Sequence, residues 1–381
     1  MGEKINLRRT AAIARKESIQ ILRDTRSLLI VVSMPVMLML LMGYGISLDQ
    51  KRVPVCFFDR DPSQESRDLL NRFRSSEYFG FVTAAPTYHA MISAIDRGRC
   101  SLGLVIPNDF AERMREGGDV AVEGIVDGTD DNTANLVFTY AESVIADFSQ
   151  SVQLNYLERA GRKSEIGALA IEPRVWFNES LESRNFIVPG VVALVMAVIG
   201  AFLASLTIAR EWERGTMEQL ISTPVKPFEV TLGKLLPYFA VGMGDTAICI
   251  LIAAFWFKVP MRGSWMALIL ASMMFLLTVL MLGFWISAAT KSQLLASQFS
   301  LLATLLPSFL LSGFGFPIAQ TPAVVRAMSY LVPARYYVLL LKNIFLKGAG
   351  IASEWQPLLA LGLFAVFISI MAMRSFHKIL Q

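Results

Sequence analysis

Five stretches of this chain are long, apolar and almost free of charge, and they restrict what it can fold into more than any other feature. Ser27–Leu48, Asn185–Ala209 and Gly263–Thr290 hold no Asp, Glu, Lys or Arg; Leu235–Phe257 holds only Asp245. Ser292–Val325 is longer than one crossing requires, and Trp355–Met373 is a shorter sixth stretch. A hydrocarbon core of ~30 Å calls for about 20 helical residues, and backbone groups inside it must be satisfied internally, so such segments must be helices. Six transmembrane helices are therefore predicted. Charged residues make up 17% of the 381 residues, against about 25% in soluble domains, too few to clothe a water-facing surface. That deficit excludes an ordinary soluble enzyme, a disordered chain and a secreted disulfide scaffold. The net charge of +4 is small and gives no basis for a nucleic-acid partner.

Orientation follows from the basic residues in short flanks. Lys4, Arg8, Arg9, Arg15, Lys16, Arg23 and Arg26 precede the first span and assign the N-terminus to the cytoplasm. An even number of crossings returns the C-terminus, with Arg374 and Lys378, to the same side. Arg210, Arg214, Lys226 and Lys291 then fall in cytoplasmic turns. Lys258, Arg262, Arg326, Arg335, Lys342 and Lys347 fall on the opposite face, so the N-terminal cluster decides the assignment. The first apolar stretch exceeds the ~7–15 residues of a signal-peptide core and no A-x-A site follows it, so it reads as an uncleaved anchor.

Residues 49–184 have the composition of a water-soluble domain. Val53–Phe58, Phe79–Thr83, Ser101–Ile106 and Val120–Val126 predict strands; Ser63–Ser75, Thr87–Arg97 and a long segment from near Asn132 past Asn155 predict helices. Their alternation predicts an α/β extracytoplasmic domain inserted between the first two spans. Asp127, Asp130 and Asp131 do not match the offsets of an EF-hand loop and read instead as the cap of the long helix. Cys56 and Cys100 lie in this domain and Cys249 in the third span; the general burial of cysteine favours two free thiols over a bond between the first two. The two histidines, His89 and His377, build no zinc site with these cysteines. Neither G-x-S-x-G nor G-x-x-x-x-G-K-[ST] occurs, so no catalytic or metal-binding residue is predicted and the chain is not expected to be an enzyme by itself.

Two cytoplasmic segments stand out. Over residues 5–26, Leu7, Ala11, Ala14, Ser18 and Ile21 form a mildly apolar stripe, with Arg8, Arg15, Lys16 and Arg23 on other faces. That is a basic amphipathic helix suited to the inner headgroups, serving as a topology anchor or as a lever against a cytoplasmic partner. In Arg210–Lys234 the charges of Arg210, Glu211, Glu213 and Arg214 alternate in sign. Gly215-Thr216 then starts a short helix with Glu218 in its first turn, closed by Pro224 and Pro227. Such a helix, held at each end by a span, passes force between a soluble partner and the membrane; the plainer reading is a solvated loop.

MGYGISLD ends the first span, DGTDDNTAN lies in the outer domain, REWERGTMEQL follows the second span, SGFGFPI lies within the fifth tract and YLVPARYY follows it. With these motifs in this order from end to end, the chain resembles the ABC-2 type permeases, particularly the drug-exporter branch with a large external domain between spans one and two. The resemblance implies a polytopic α-helical membrane protein of the ABC-2 (type V exporter-like) fold. It implies a permease that moves small hydrophobic or amphipathic compounds outward across the bacterial inner membrane. Work comes from a separate cytoplasmic ABC ATPase that binds ATP and Mg; this chain carries no cofactor. Further implied partners are a second copy or a related permease, a periplasmic membrane-fusion adaptor and membrane lipid. In that family the segment matched by Glu211, Glu213, Arg214, Gly215, Thr216 and Glu218 couples permease to ATPase, and the N-terminal helix lies along the inner face beside it.

Asp245 sits near the centre of the third span, where an ionised side chain costs ~2.5–3.5 kcal/mol on insertion scales. Two readings stay open: a contact for a cationic substrate or a proton, or a carboxyl that fixes packing through Thr246, Ser272, Thr278 or Ser287. Lys234 is expected to snorkel to the headgroups. Pro307 and Ser312–Pro317 predict a kinked or broken fifth helix, followed by a re-entrant or interfacial hairpin over about 317–350 that seals the exit of a pathway. Phe309 and Phe316 are candidate pathway aromatics. Two other functions compete: an ion-coupled secondary transporter using Asp245, and a membrane-tethered sensor or assembly protein built on the outer domain.

Overall fold

The computed structural model describes residues 6–45, 52–116, 120–128, 131–159, 183–315, 318 and 321–380. It divides into two compact units, one of Met1–Ser47 with Val175–Gln381 and one of Leu48–Arg174. The first unit opens with helix α1 (Leu7–Arg23), capped by Asn6, whose side chain accepts from the Arg8 N–H at 3.1 Å. Asp24 alone separates it from α2 (Thr25–Gly45), an apolar helix of 21 residues with Pro35 inside.

The second unit runs β1 (Val53–Asp59), α3 (Gln64–Ser75), β2 (Phe79–Ala84), α4 (Tyr88–Asp96), β3 (Leu102–Ile106), α5 (Phe110–Glu116), β4 (Glu123–Val126) and α6 (Asp131–Arg159). The sheet order is β2-β1-β3-β4, with β1 parallel to both neighbours and β4 antiparallel to β3. Parallel neighbours need crossovers, and α3 and α4 supply them. Because side chains alternate across a strand, β1 buries two faces. Val53, Val55 and Phe57 pack with Leu69 and Phe73 of α3 and Val137 of α6. Cys56 packs the other way with Met91 and Ile95 of α4.

Cys56 and Cys100 are joined by a disulfide, their Cα atoms 5.7 Å apart. This corrects the expectation of two free thiols. Parallel pairing of β1 with β3 brings the Ser101 N–H to the Pro54 carbonyl at 2.9 Å and sets the two sulfurs side by side. Both cysteines are buried, 4% and 5% exposed, so burial alone could not tell a thiol from a bond.

The first unit resumes with α7 (Ser183–Glu213), α8 (Thr216–Ile221) and α9 (Pro227–Leu251, extended by a π-helical turn Ile252–Trp256). It ends with α10 (Trp265–Thr290), α11 (Gln293–Leu311), α12 (Ala323–Ser329), α13 (Pro333–Lys347) and α14 (Trp355–Leu380). Among the described residues α7, α9 with its π turn, α10, α11 and α14 are long and apolar enough to cross a membrane. The pair α12–α13 passes that test only jointly and is bent by 86° between its halves, and the described apolar stretch of α2, Val31–Gly45, is shorter than a span. The fifth apolar tract is broken within Ser312–Pro317, as expected, but not at Pro307. Helix α11 continues through Pro307 as one element to Leu311, and the break falls at Ser312–Gly315, ahead of a separate α12.

Helix α7 is the axis of this unit, buried almost continuously from Ile187 to Ala209 and packed by α2, α9, α10, α11 and α13. Lipid offers no hydrophobic gain for helix association, so close approach at small residues has to supply it. A Cβ on Gly283 of α10 would stand 2.3 Å from the Ala201 carbonyl oxygen, and one on Gly190 of α7 would stand 2.3 Å from the Phe314 ring. Replacing Gly283 by Leu should therefore separate α7 from α10 and lower the detergent unfolding midpoint, at a cost of at least the ~1–3 kcal/mol of an overpacked core. Gly362→Ala, whose new Cβ meets nothing closer than 3.9 Å, should leave that midpoint unchanged.

Candidate functional site

A network of charged groups lies where α1, the end of α7, α8 and the start of α9 meet. Helix α1 lies along α9 through three successive contacts. At the first, the Asn6 N–H donates to Glu229 Oε1 at 2.7 Å while Glu229 Oε2 accepts from the Lys226 N–H at 3.2 Å, so one carboxylate serves two helix starts. The second contact is steric. Gly233 stands against α1 so closely that a Cβ there would meet Ile13 Cβ at 2.8 Å and the Thr10 carbonyl oxygen at 2.9 Å. The third is an ion cluster, in which Lys234 Nζ lies 2.5 Å from Glu17 Oε1 and 2.9 Å from Glu211 Oε1.

Lys234 is 1% exposed, Glu17 2% and Glu211 6%. The expectation that Lys234 snorkels to headgroups is overturned, because carboxylates from two other helices hold its ammonium inside the protein. Glu211 also accepts from Lys16 Nζ at 2.9 Å and from the Thr216 hydroxyl. Burying a carboxylate pair without a cation between them would be prohibitive, whereas the ammonium's donors supply both charge and hydrogen bonds. The same cluster corrects the face of α1. Thr10 and Glu17 are buried with Ile13 and Ile21 packed beside them; of the expected stripe Ile21 does pack on the core, whereas Leu7 is 75% exposed and Ala11 is exposed as well. Apolarity alone does not choose a helix face when the buried position carries an acid matched by a lysine more than two hundred residues away. Arg8, Arg15, Lys16 and Arg23 are all exposed, and of these Lys16 reaches the cluster.

The end of α7 is also tied to the turn between α10 and α11. Glu213 accepts from the Gln293 N–H at 2.7 Å and from its side-chain amide, placing negative charge at the start of α11 where orphan N–H groups collect. Lys291, in the left-handed region at φ 55°, stands 4.4 Å over the Trp212 ring. Gly215 turns the chain at φ 69°, where a side chain would be strained, and releases α8 from the axis of α7. Met217, 0% exposed, anchors α8 to the core, while Arg214, Glu218 and Gln219 face outward. Of the six residues expected to couple, Glu211, Thr216 and Glu213 are thus internal ties, Gly215 is the turn, and Arg214 and Glu218 are the outward face. Sequence reasoning missed Asn6, Glu17, Glu229, Lys234 and Gln293. The available signals were a glutamate inside a basic helix and a lysine at the edge of a span.

The other candidates lie elsewhere. Asp245 is on α9, 7% exposed, in a cavity of about 10 Å³ lined by α7, α9 and α10. None of its four expected partners hydrogen-bonds to it. Thr246 and Thr278 donate to their own helices' carbonyls, Ser272 pairs with Tyr337, and Ser287 accepts from the Ile208 and Ala209 N–H groups. Phe309 meets Phe314 edge-on at 5.6 Å. Phe316 lies outside the described residues. No cluster of residues suited to holding a metal occurs among the described residues.

Comparison with known proteins places this geometry. Residues 26–374 match the family model described as ABC-2 family transporter protein. The chain is 40% identical over 345 residues, 90% of each protein, to the probable multidrug ABC transporter permease YbhS of Escherichia coli (strain K12). It is 25% identical over 349 residues to the probable multidrug ABC transporter permease YbhR of the same organism, covering 91% of this chain and 92% of that one. It is also 24% identical over 385 residues to ABC transporter G family member 20 of Dictyostelium discoideum, covering 98% of this chain but 51% of that protein. A family match over nearly the whole chain, joined to a 40% identical permease aligned over nine-tenths of both lengths, establishes that this protein belongs to the ABC-2 family of transporter permeases.

Proposed function

We propose that this ABC exporter permease is driven by a separate cytoplasmic ATPase that seats on the outward face of α8, with Arg214 and Glu218 as its contacts. ATP and Mg belong to that partner. The cargo is small hydrophobic or amphipathic compounds, the class suggested by the multidrug naming of the permeases it is similar to. It works as a pair with a second copy or a related permease, and a periplasmic adaptor is a further partner. With α2 as the first of six spans and the bent α12–α13 as an outer hairpin, both termini lie in the cytoplasm of a bacterial inner membrane. Residues 49–184 then lie outside it. The Cys56–Cys100 bond supports that side for the α/β unit, since disulfides persist in oxidising compartments and are rare in the cytosol.

The observation that carries the coupling reading is the buried Glu17–Lys234–Glu211 cluster. It locks α1, α7 and α9 together next to α8, so a push on α8 reaches the base of two long membrane helices as one body. A hinge of exposed ion pairs would dissipate the same push, because such pairs are worth only ~0–1 kcal/mol each.

Lys234→Met leaves two buried carboxylates facing each other, a loss on the order of 3–5 kcal/mol for a broken buried pair. The expected result is a lower unfolding midpoint in detergent and ATP hydrolysis that no longer drives export. The double change Arg214→Glu with Glu218→Arg alters only exposed groups, so stability should stay within ~0.5 kcal/mol. The ATPase should nonetheless fail to copurify with this variant. An ATPase recovered in full with the double variant, and hydrolysis still coupled to transport, would remove α8 as the docking face.

A further inference from the structure

Among the described residues, Asp245 is the buried acid that neither the Lys234 cluster nor the helix starts held by Glu229 explain. It is 7% exposed, its Oδ2 has no hydrogen-bond partner, and it lines the small cavity between α7, α9 and α10. The walls from α7 are Val195, Met196, Ile199 and Gly200, and the wall from α10 is Leu276. Neither helix places a charged or titratable group there. Helices α1, α2 and α14 also pack on α9 but contribute no residue to the cavity wall. From α9 itself come Gly242, Thr246 and Cys249; the Thr246 hydroxyl is already committed to the Gly242 carbonyl, and Cys249 is the one titratable neighbour on the wall.

The size of the space limits what it admits. At about 10 Å³ it has room for roughly one water, the smallest cavity in which a water fits. The wall is closely packed at its two glycines, where a Cβ on Gly242 would meet Leu276 at 2.8 Å and one on Gly200 would meet Val279 at 3.0 Å. A drug-sized cation does not fit. With no base on the wall and no donor stronger than the Cys249 thiol, a carboxylate there would forfeit its hydration with little in return, while a neutral acid needs only a small polar partner. The α-helical ladder of α9 gives way to the π-helical turn Ile252–Trp256 within two turns of Asp245, and such turns recur where a helix changes register at functional sites.

We propose that Asp245 is a proton-binding site, occupied as a neutral carboxylic acid beside one water in this packed arrangement, and that its proton is released when α9 moves away from α7 and α10. The only bond that breaks is the acid O–H; one entering water accepts the proton and carries it away as hydronium, and further water that enters as the helices part solvates the carboxylate left behind. The ligand is therefore a proton and not the cargo, and the site is independent of where the ATPase docks.

Infrared spectra of the permease–ATPase complex in lipid nanodiscs, recorded across pH with and without Asp245→Asn, test this directly. A protonated-carboxyl C=O band present at neutral pH in the wild type and absent from the variant is expected. Should Asp245→Asn fail to insert, Leu276→Ala serves instead, since a wider, wetter cavity should move the disappearance of the band to lower pH. No protonated-carboxyl band at neutral pH in the wild type, or an unmoved band in Leu276→Ala, would overturn the assignment.

Discussion

Lys234 sits 1% exposed at the base of a membrane helix, and the end of the bundle that carries α1 and α8 is organised around keeping that ammonium satisfied. Its two carboxylate partners come from α1 and α7, so neither helix can shift without uncovering a charge. The penalty for separation is what makes three elements behave as one, because a buried ion left alone is far more costly than the pair is favourable. The capping of two helix starts by Glu229, the turn at Gly215 and the seat of α8 on Met217 all surround this cluster.

Above that level the forces change character. In lipid the helices gain nothing from hiding apolar surface, so α7 is held by contact between backbones and small side chains, as at Gly283 and Gly190. Rigid, dry packing around α7 contrasts with a charged, hydrogen-bonded foot. A structure of this kind transmits displacement well: the foot fixes direction, and the packed axis resists compression.

The apolar helices were legible in the sequence because lipid imposes a length and forbids charge, and the strands of the α/β unit because period-two runs between turn residues have few other solutions. Val53–Phe58, Phe79–Thr83 and Ser101–Ile106 anticipated β1, β2 and β3 to within a residue or two. The short α5 was not anticipated, having too few residues to show a period. Within the site, Gly215 and the outward charges of α8 were readable from local pattern. The roles of Glu17 and Lys234 were not, since each looks ordinary in its own segment: a glutamate on a basic helix, and a lysine at a membrane edge.

Local chemistry along the chain thus determined which segments are long and apolar enough for lipid, where the strands of the α/β unit lie, and where Gly215 interrupts the chain between α7 and α8. Those properties depend on solvent transfer and backbone geometry, which each segment carries with it. Tertiary structure alone decided which face of α1 is buried, that Cys56 finds Cys100, that Lys234 is shared between two acids, and that Asp245 finds none of the hydroxyls available to it. Each of these depends on distances between residues remote in sequence, and a charge or a thiol has no fixed partner until the packing of other elements brings one within reach.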